Sequence, residues 1–248
     1  GFGKVIFPTY GLAEHTVFVC SGGKQRIAVN KEELETNGQV ILADNGADGG
    51  ENVSKLVGCG YPASQGVDVR IVDHESNTTL AEGKVGEIWI KSESKAAGYF
   101  NKPEETKHDF HGKMEGSTND EEDGYLMTGD LGFLHNEELF ICGRLKDLII
   151  VGGRNYYPQD IEATAESSSD LVRPGCSAAF TIDQTKGGGE EVALVMELKE
   201  TPSSAAEFES ICAPLANEVK AAINQEHSLG ITEILFLKPR TVPKTSSG

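Results

Sequence analysis

Of the 248 residues, 22 are Lys or Arg against 39 Asp or Glu, giving a formal net charge of −17. No basic stripe and no run of interleaved aromatics and cations occurs, which makes nucleic acid and anionic membrane poor partners. Long hydrophobic runs are missing too. Without about 18 consecutive apolar residues no membrane span is expected. Cysteine is sparse and odd in number: Cys20, Cys59, Cys142, Cys176 and Cys212. None forms a C-x-x-C pair, so neither a disulfide framework nor a zinc site is expected, and a reducing, cytoplasmic compartment fits. Cys176 reads as a small buried hydrophobe rather than a nucleophile. The opening residues 1–7 have neither the apolar h-region nor the cleavage pattern of a signal peptide. They read as a strand already under way, so the chain is expected to begin inside a domain. The densest acidic run, Asp120-Glu121-Glu122-Asp123, reads as a solvated turn.

What is present is the composition of a soluble globular protein, 38% hydrophobic and 25% charged, in a length that suits one large domain or two smaller ones. Residues 4–19 suggest a strand, a Tyr-Gly turn, then a strand or helix. The stretch 21–58 is broken by Gly22-Gly23, Asn37-Gly38, Asn45-Gly46 and Gly49-Gly50, with only 39–43 strand-like. From Gly66 the texture changes. Residues 67–73 and 86–91 alternate with period two, and 131–134 with 138–142 predict a hairpin through His135-Asn136-Glu137. Together 66–142 predict a small antiparallel sheet or barrel.

Beyond Gly143 the pattern is different. Residues 148–151 predict a strand, and Pro158-Gln159-Asp160-Ile161-Glu162 opens a helix with proline and acid in its first turn. Strands at 177–183 and 191–199 flank Lys186-Gly187-Gly188-Gly189. An amphipathic helix follows over 205–225, then a strand over 231–237. That β-α-β-β-α-β order predicts a compact α+β domain of roughly 100 residues. The expected division is 1–145 and 146–248, the first mixed α/β with a barrel-like part from about residue 66.

Three segments carry chemistry. In Tyr10-Gly11-Leu12-Ala13-Glu14 a glycine lets the backbone turn sharply at a strand end. A carboxylate exposed there suits Mg²⁺ bridging nucleotide phosphates, and a tyrosine suits a base; an ordinary turn explains the pattern as well. In Thr128-Gly129-Asp130 an ionised carboxylate after a glycine turn has two oxygens for the vicinal hydroxyls of a ribose, although T-G-D is also a common loop. The third runs from Gly143-Arg144-Leu145-Lys146-Asp147 to Gly152-Gly153-Arg154-Asn155-Tyr156-Tyr157-Pro158-Gln159-Asp160-Ile161-Glu162. Structural punctuation explains its glycines and proline but not two cations and an acid at a domain boundary. His15 is expected to hydrogen-bond locally, and Trp89, alternating with Ile88 and Ile90, to pack in a core.

In this order the segments resemble the adenylate-forming superfamily of acyl-CoA synthetases, luciferases and nonribosomal-peptide adenylation domains. The resemblance is strongest to the fatty acyl-AMP ligases. It rests on the G-R-N-x-Y-P-Q-D-I-E pattern at 153–162, on Arg173-Pro174-Gly175-Cys176, and on Ala13 where acyl-CoA synthetases usually have threonine. It implies that 1–145 is the last part of a large adenylation domain and 146–248 a small mobile domain. It also implies Tyr10 and Gly11 at the adenine, Glu14 on Mg²⁺, Asp130 on the ribose, Arg144 near ribose and phosphate, and Lys146 as the hinge. Glu87 matches a motif that is chiefly structural, and Met127 replaces the usual arginine before T-G-D.

The implied substrates are ATP, leaving AMP on the acyl group, and a fatty acid. The implied acceptor is the phosphopantetheine thiol of an acyl carrier protein, free or in a polyketide synthase. An acyl-CoA ligase and a non-catalytic binding or scaffold module are the alternatives. The family's phosphate-gripping loop lies before Tyr10, and its catalytic lysine follows P-K-T-S-S-G, here 243–248. The isolated chain is therefore expected to need the remainder of the adenylation domain. An insertion of the fatty acyl-AMP ligases falls where residues 20–59 lie, and it is thought to hinder the rotation that builds a coenzyme A site.

Overall fold

The computed structural model describes residues 7–43, 52–116, 124–183 and 190–244. The acidic run 120–123, the opening strand at 1–6 and the glycines at 187–189 lie outside these. The chain divides into two units, Gly1–Lys146 and Asp147–Gly248, each mixed in α and β structure.

In the first unit, β1 (Thr9–Tyr10) pairs antiparallel with β2 (Cys20–Ser21) across a 3-10 turn at Ala13–His15. β3 (Arg26–Asn30), α1 (Lys31–Asn37) and β4 (Val53–Val57) follow, with β3 and β4 antiparallel. α1 starts because the Asn30 side chain accepts the Glu33 N–H at 3.0 Å, and it stops at Gly38 in the left-handed region. The expected strand at 39–43 makes only isolated bridges, Gln39 to Lys84 and Leu42 to Val29. The described parts of this excursion, 20–43 and 52–59, are held to the rest of the unit. Val40 and Val85 exchange backbone hydrogen bonds with Gly83 and Gly38. The buried Glu138 accepts the N–H groups of Lys24 and Gln25 at 2.7 and 3.2 Å.

β5 (Asp68–Val72), β6 (Gly86–Lys91), β7 (Leu126–His135) and β8 (Glu138–Arg144) form an antiparallel sheet in sequence order, with α2 (Pro103–Asp109) inserted before β7. Among the described residues the sheet does not close, so the barrel expectation is corrected to an open four-stranded sheet. Four strands are too few to wrap a side-chain core. The β7–β8 turn is the predicted one; Asn136 and Glu137 both adopt positive φ, 48° and 65°, as the twist of a two-residue hairpin demands. β6 is buried on both faces. Ile88 and Ile90 join Tyr10, Val19, Cys20, Val69, Ile71 and Leu139 in one core, while Trp89 packs against Gly112 on the other side.

In the second unit, β9 (Ile149–Val151) and β10 (Arg154–Tyr156) form a hairpin that sequence periodicity missed. Gly152 and Gly153, at φ 60° and 79°, make its turn. α3 (Pro158–Ser167) begins on its proline. β11 (Val172–Asp183) pairs antiparallel with β12 (Glu190–Leu198), with an irregularity between Val172 and Ser177. β13 (Glu233–Leu237) lies parallel to β12, an arrangement that needs the crossover α4 (Ala205–His227). Ser204 and Glu207 cap α4. Leu215, Val219 and Ile223 recur every four residues and face Ile161, Leu194 and Met196 in the core.

The buried Glu197 of β12 gives this unit an acid-sensitive tie. Burial alone would raise its pKa; the backbone N–H groups of Val242, Arg240 and Thr241 and the Arg173 guanidinium outweigh that and hold it at about 2. Because the folded-state value lies below the ordinary 4.5, the stability it confers is complete above that pH and is lost as pH falls toward 2. Thermal melting of this unit should therefore fall over that window, and the fall should be shallower in Glu197→Gln. An equally steep fall in the variant would assign the acid sensitivity to other carboxylates.

Candidate active site

Sheet register sets the centre of the site. Asp130 on β7 lies opposite Arg144, the last residue of β8. Arg144 Nε donates to Asp130 Oδ1 at 3.2 Å, and the Tyr10 hydroxyl, from the end of β1, donates to Oδ2 at 2.5 Å. Tyr10, 120 residues before Asp130, and Arg144, 14 after it, thus meet on one carboxylate. The Asp130 side chain is 15% exposed and that of Arg144 68%, so the group opens to solvent on the arginine side. The Tyr10 ring is buried among the apolar side chains under the sheet, and its hydroxyl is the part that reaches the site. Burial, reinforced by the Asp130 charge, pushes the Tyr10 pKa up, so the phenol stays protonated and remains a donor.

Asp130 is aimed by a bulge. Glu87 faces Leu131 while Trp89 faces Met127, which leaves the Thr128–Asp130 segment as extra residues on β7. Gly129 sits there at φ 69°. Its N–H is accepted by Glu87 Oε1 at 2.9 Å, and Glu87 Oε2 accepts the Trp89 indole N–H at 2.9 Å. Thr128 Oγ1 donates to the Ile88 carbonyl at 2.7 Å and accepts the Asp130 N–H at 3.1 Å. Glu87 is thus buried and satisfied from two sides, and holds the loop from which Asp130 projects.

Gly11 is required by close approach: a Cβ there would lie 1.6 Å from the Val17 carbonyl oxygen. The loop it permits is tight enough to put two β-branched residues, Thr16 and Val17, at φ 53° and 74°. Glu14 lies in this loop. Its Oε1 accepts the Tyr99 hydroxyl at 3.0 Å, and its backbone carbonyl accepts the Ala96 N–H at 2.8 Å. The buried His15 bridges the Phe18 carbonyl and Ser92 Oγ, each at 2.6 Å. Since a carbonyl only accepts, Nδ1 carries a proton in this arrangement. His15 is therefore the local brace expected of it.

Lys146 is exposed in the 3-10 turn Leu145–Asp147, at the end of the first unit and two residues beyond Arg144. Tyr99 was not singled out in the sequence; it packs edge-on against Phe110 at 5.1 Å and orients Glu14. Its sequence signal was slight, a Gly98-Tyr99 pair in a polar loop ahead of Pro103. Among the described residues no group of three or more His, Cys, Asp or Glu side chains is placed to hold a metal by itself. No helix among them is long and apolar enough to cross a membrane.

Residues 1–100 match the AMP-binding enzyme family. Over 98% of its length the chain is 37% identical to the medium-chain-fatty-acid–[acyl-carrier-protein] ligase JamA of Moorena producens, covering 40% of that protein. It is 36% identical, again over 98% of its length, to the putative fatty-acid–CoA ligase FadD21 of Mycobacterium tuberculosis, covering 41%. A solved structure from work on fatty acyl-adenylate ligases of E. coli and L. pneumophila aligns with all of the chain at a TM-score of 0.78 and 31% identity, and 40% of that structure is covered. The chain spans about two-fifths of the length of these relatives.

Proposed function

For a chain homologous to the fatty-acid ligases of the AMP-binding enzyme family, we propose that it forms part of an ATP-dependent fatty acyl-AMP ligase. The observation that carries this is the convergence of Tyr10, Asp130 and Arg144 on one carboxylate. A carboxylate offers about four lone-pair sites; one donor occupies each oxygen here, leaving capacity for the two ribose hydroxyls of the nucleotide. Arg144 stays largely exposed beside it, placed for a phosphate oxygen. A non-catalytic scaffold has no use for a solvent-facing Asp–Arg pair aimed by a buried Glu87 and a β-bulge.

In the reaction the fatty-acid carboxylate attacks the α-phosphorus of ATP; a P–O bond to the acyl oxygen forms as the bond to pyrophosphate breaks. Both partners are anionic, so fixed positive charge lowers the barrier. Glu14 fits Mg²⁺: a single hard carboxylate, steadied by Tyr99, suits an ion that takes most of its other ligands from phosphates and water. Bound there, the ion would offset phosphate charge. Lys146, at the end of the first unit, is assigned the hinge between half-reactions, and 146–248 the small mobile domain.

The test is fatty-acid-dependent pyrophosphate release from ATP by the protein that contains this chain. No release with any of a series of saturated acids from short to long would overturn the proposal.

The acceptor we propose is the phosphopantetheine thiol of an acyl carrier protein. Support comes from the carrier-protein ligase among the relatives and from the described parts of residues 20–59, where β3 pairs with β4 and Glu138 accepts the Lys24 N–H. Such an element need favour one arrangement of the hinge by only about 3 kcal/mol to disfavour the other roughly 100-fold. Acyl transfer to carrier is therefore expected to exceed transfer to coenzyme A by about that factor. Equal rates would return the chain to the acyl-CoA ligases.

A further inference from the structure

The second unit contains a carboxylate that the ligase reading leaves without a role. Glu197, on β12 between the core residues Met196 and Leu198, is 1% exposed. Its Oε1 accepts the backbone N–H groups of Thr241 and Val242, both at 2.7 Å. Its Oε2 accepts the Arg240 N–H at 2.9 Å and Arg173 Nη1 at 2.7 Å. Three consecutive amides of a segment without helix or strand thus close on one buried anion. Arg240 pays the conformational cost at φ 67°. Four residues on, Lys244 Nζ donates to the Gly175 carbonyl at 2.6 Å, so the segment is tied again to the corner where Arg173 sits. That corner is itself held by Glu166, which accepts the N–H groups of Gly175 and Cys176 at 2.7 and 3.1 Å. A surface tail needs none of this: exposed backbone amides are satisfied by water, whereas a buried carboxylate must be fully paired to be tolerated.

We propose that Glu197 is a positioning residue: with Arg173 it fixes the path of residues 240–244, and so the point at which the chain leaves the β11–β12 end of the small domain. The proposal rests on the ligase reading for its functional consequence, because it is the stretch beginning at Pro243 whose resemblance places catalytic residues beyond it. The anchoring geometry stands without that reading.

The experiment uses the protein that contains this chain and measures two quantities on Glu197→Gln and Arg173→Gln. The first is amide hydrogen exchange. In both variants the amides of 240–242 should exchange about tenfold faster or more beyond the uniform change that β12 and α4 show, which reports the stability Glu197 lends the whole unit. An increase at 240–242 no larger than that in β12 and α4 would leave Glu197 a general stability residue and overturn the proposal. The second is fatty-acid-dependent pyrophosphate release. kcat should fall about tenfold or more with KM for ATP unchanged, since the Asp130 site lies in the other unit, and Glu197→Asp should recover part of the loss. Wild-type kcat with released 240–242 amides would equally overturn positioning. Should Glu197→Gln fail to fold, Arg173→Gln, which keeps the carboxylate but removes its counter-charge and so loosens the amides it holds, carries both readouts. If the wild-type protein forms no acyl-adenylate, the ligase reading and the functional consequence fall together, and the exchange data alone decide the anchoring.

Discussion

Replacing Asp130 by alanine in the protein that contains this chain is expected to weaken ATP binding by about 2–5 kcal/mol, taking about 1.5–3 for each charge-assisted bond to a ribose hydroxyl and allowing for non-additivity. The alanine variant also strips the buried Tyr10 hydroxyl of its acceptor, which costs about 1–3 kcal/mol of stability in its own right. Asp130→Asn separates the two effects. Its carbonyl oxygen still accepts from Tyr10, so melting should stay near wild type, while the lost charge and second carboxylate oxygen still weaken nucleotide binding. Calorimetric affinity for ATP that is unchanged in both variants, with melting lowered only in the alanine one, would make Asp130 a structural partner of Tyr10 and nothing more.

Trp89→Ala should be the most damaging single change in the first unit. The side chain is fully buried at the centre of the four-stranded sheet, and truncating a tryptophan there costs about 3–5 kcal/mol. It also removes the indole donor from Glu87 Oε2, whose other oxygen holds Gly129. Trp89→Phe isolates that second effect: most of the volume stays, the N–H goes, and about 1–3 kcal/mol should be lost. If Glu87 aims Asp130 through Gly129, the phenylalanine variant should also show a raised Kd for ATP. Reduced stability with unaltered nucleotide affinity would confine Glu87 and Trp89 to the core.

Much of the architecture was legible because it is written locally. The β6 strand has the bounds read from period two, Gly86–Lys91, and the β7–β8 hairpin turns at the residues that tolerate positive φ. α4 follows from its four-residue apolar spacing and its Ser204–Glu207 cap. Where the pattern misled, neighbours had overridden it. Residues 39–43 carry strand-like side chains, yet only single bridges form at Gln39 and Leu42. Trp89 was expected to pack in a core, and β6 is buried on both faces, with Gly112 against the Trp89 ring. β10 was invisible since three residues carry no period.

The candidate site divides along the same line. Tyr10, Glu14 and Asp130 were singled out by glycine turns beside polar residues, since a sharp turn that exposes a side chain needs a residue without Cβ; Arg144 and Lys146 stood out as a charged cluster at the domain boundary, and the role of each came from the family resemblance. Motifs say which side chains are offered to solvent, and they are silent on which of them meet. That Asp130 takes the Tyr10 hydroxyl on one oxygen and Arg144 on the other, that Glu87 and Trp89 set its loop, that Tyr99 orients Glu14, and that Glu197 gathers three amides from residues 240–242 are long-range facts. They depend on strand register, on a bulge that re-aims one residue, and on the need to satisfy buried carboxylates. Only the assembled sheets impose these conditions, because the partners are brought together by packing and not by their spacing along the chain.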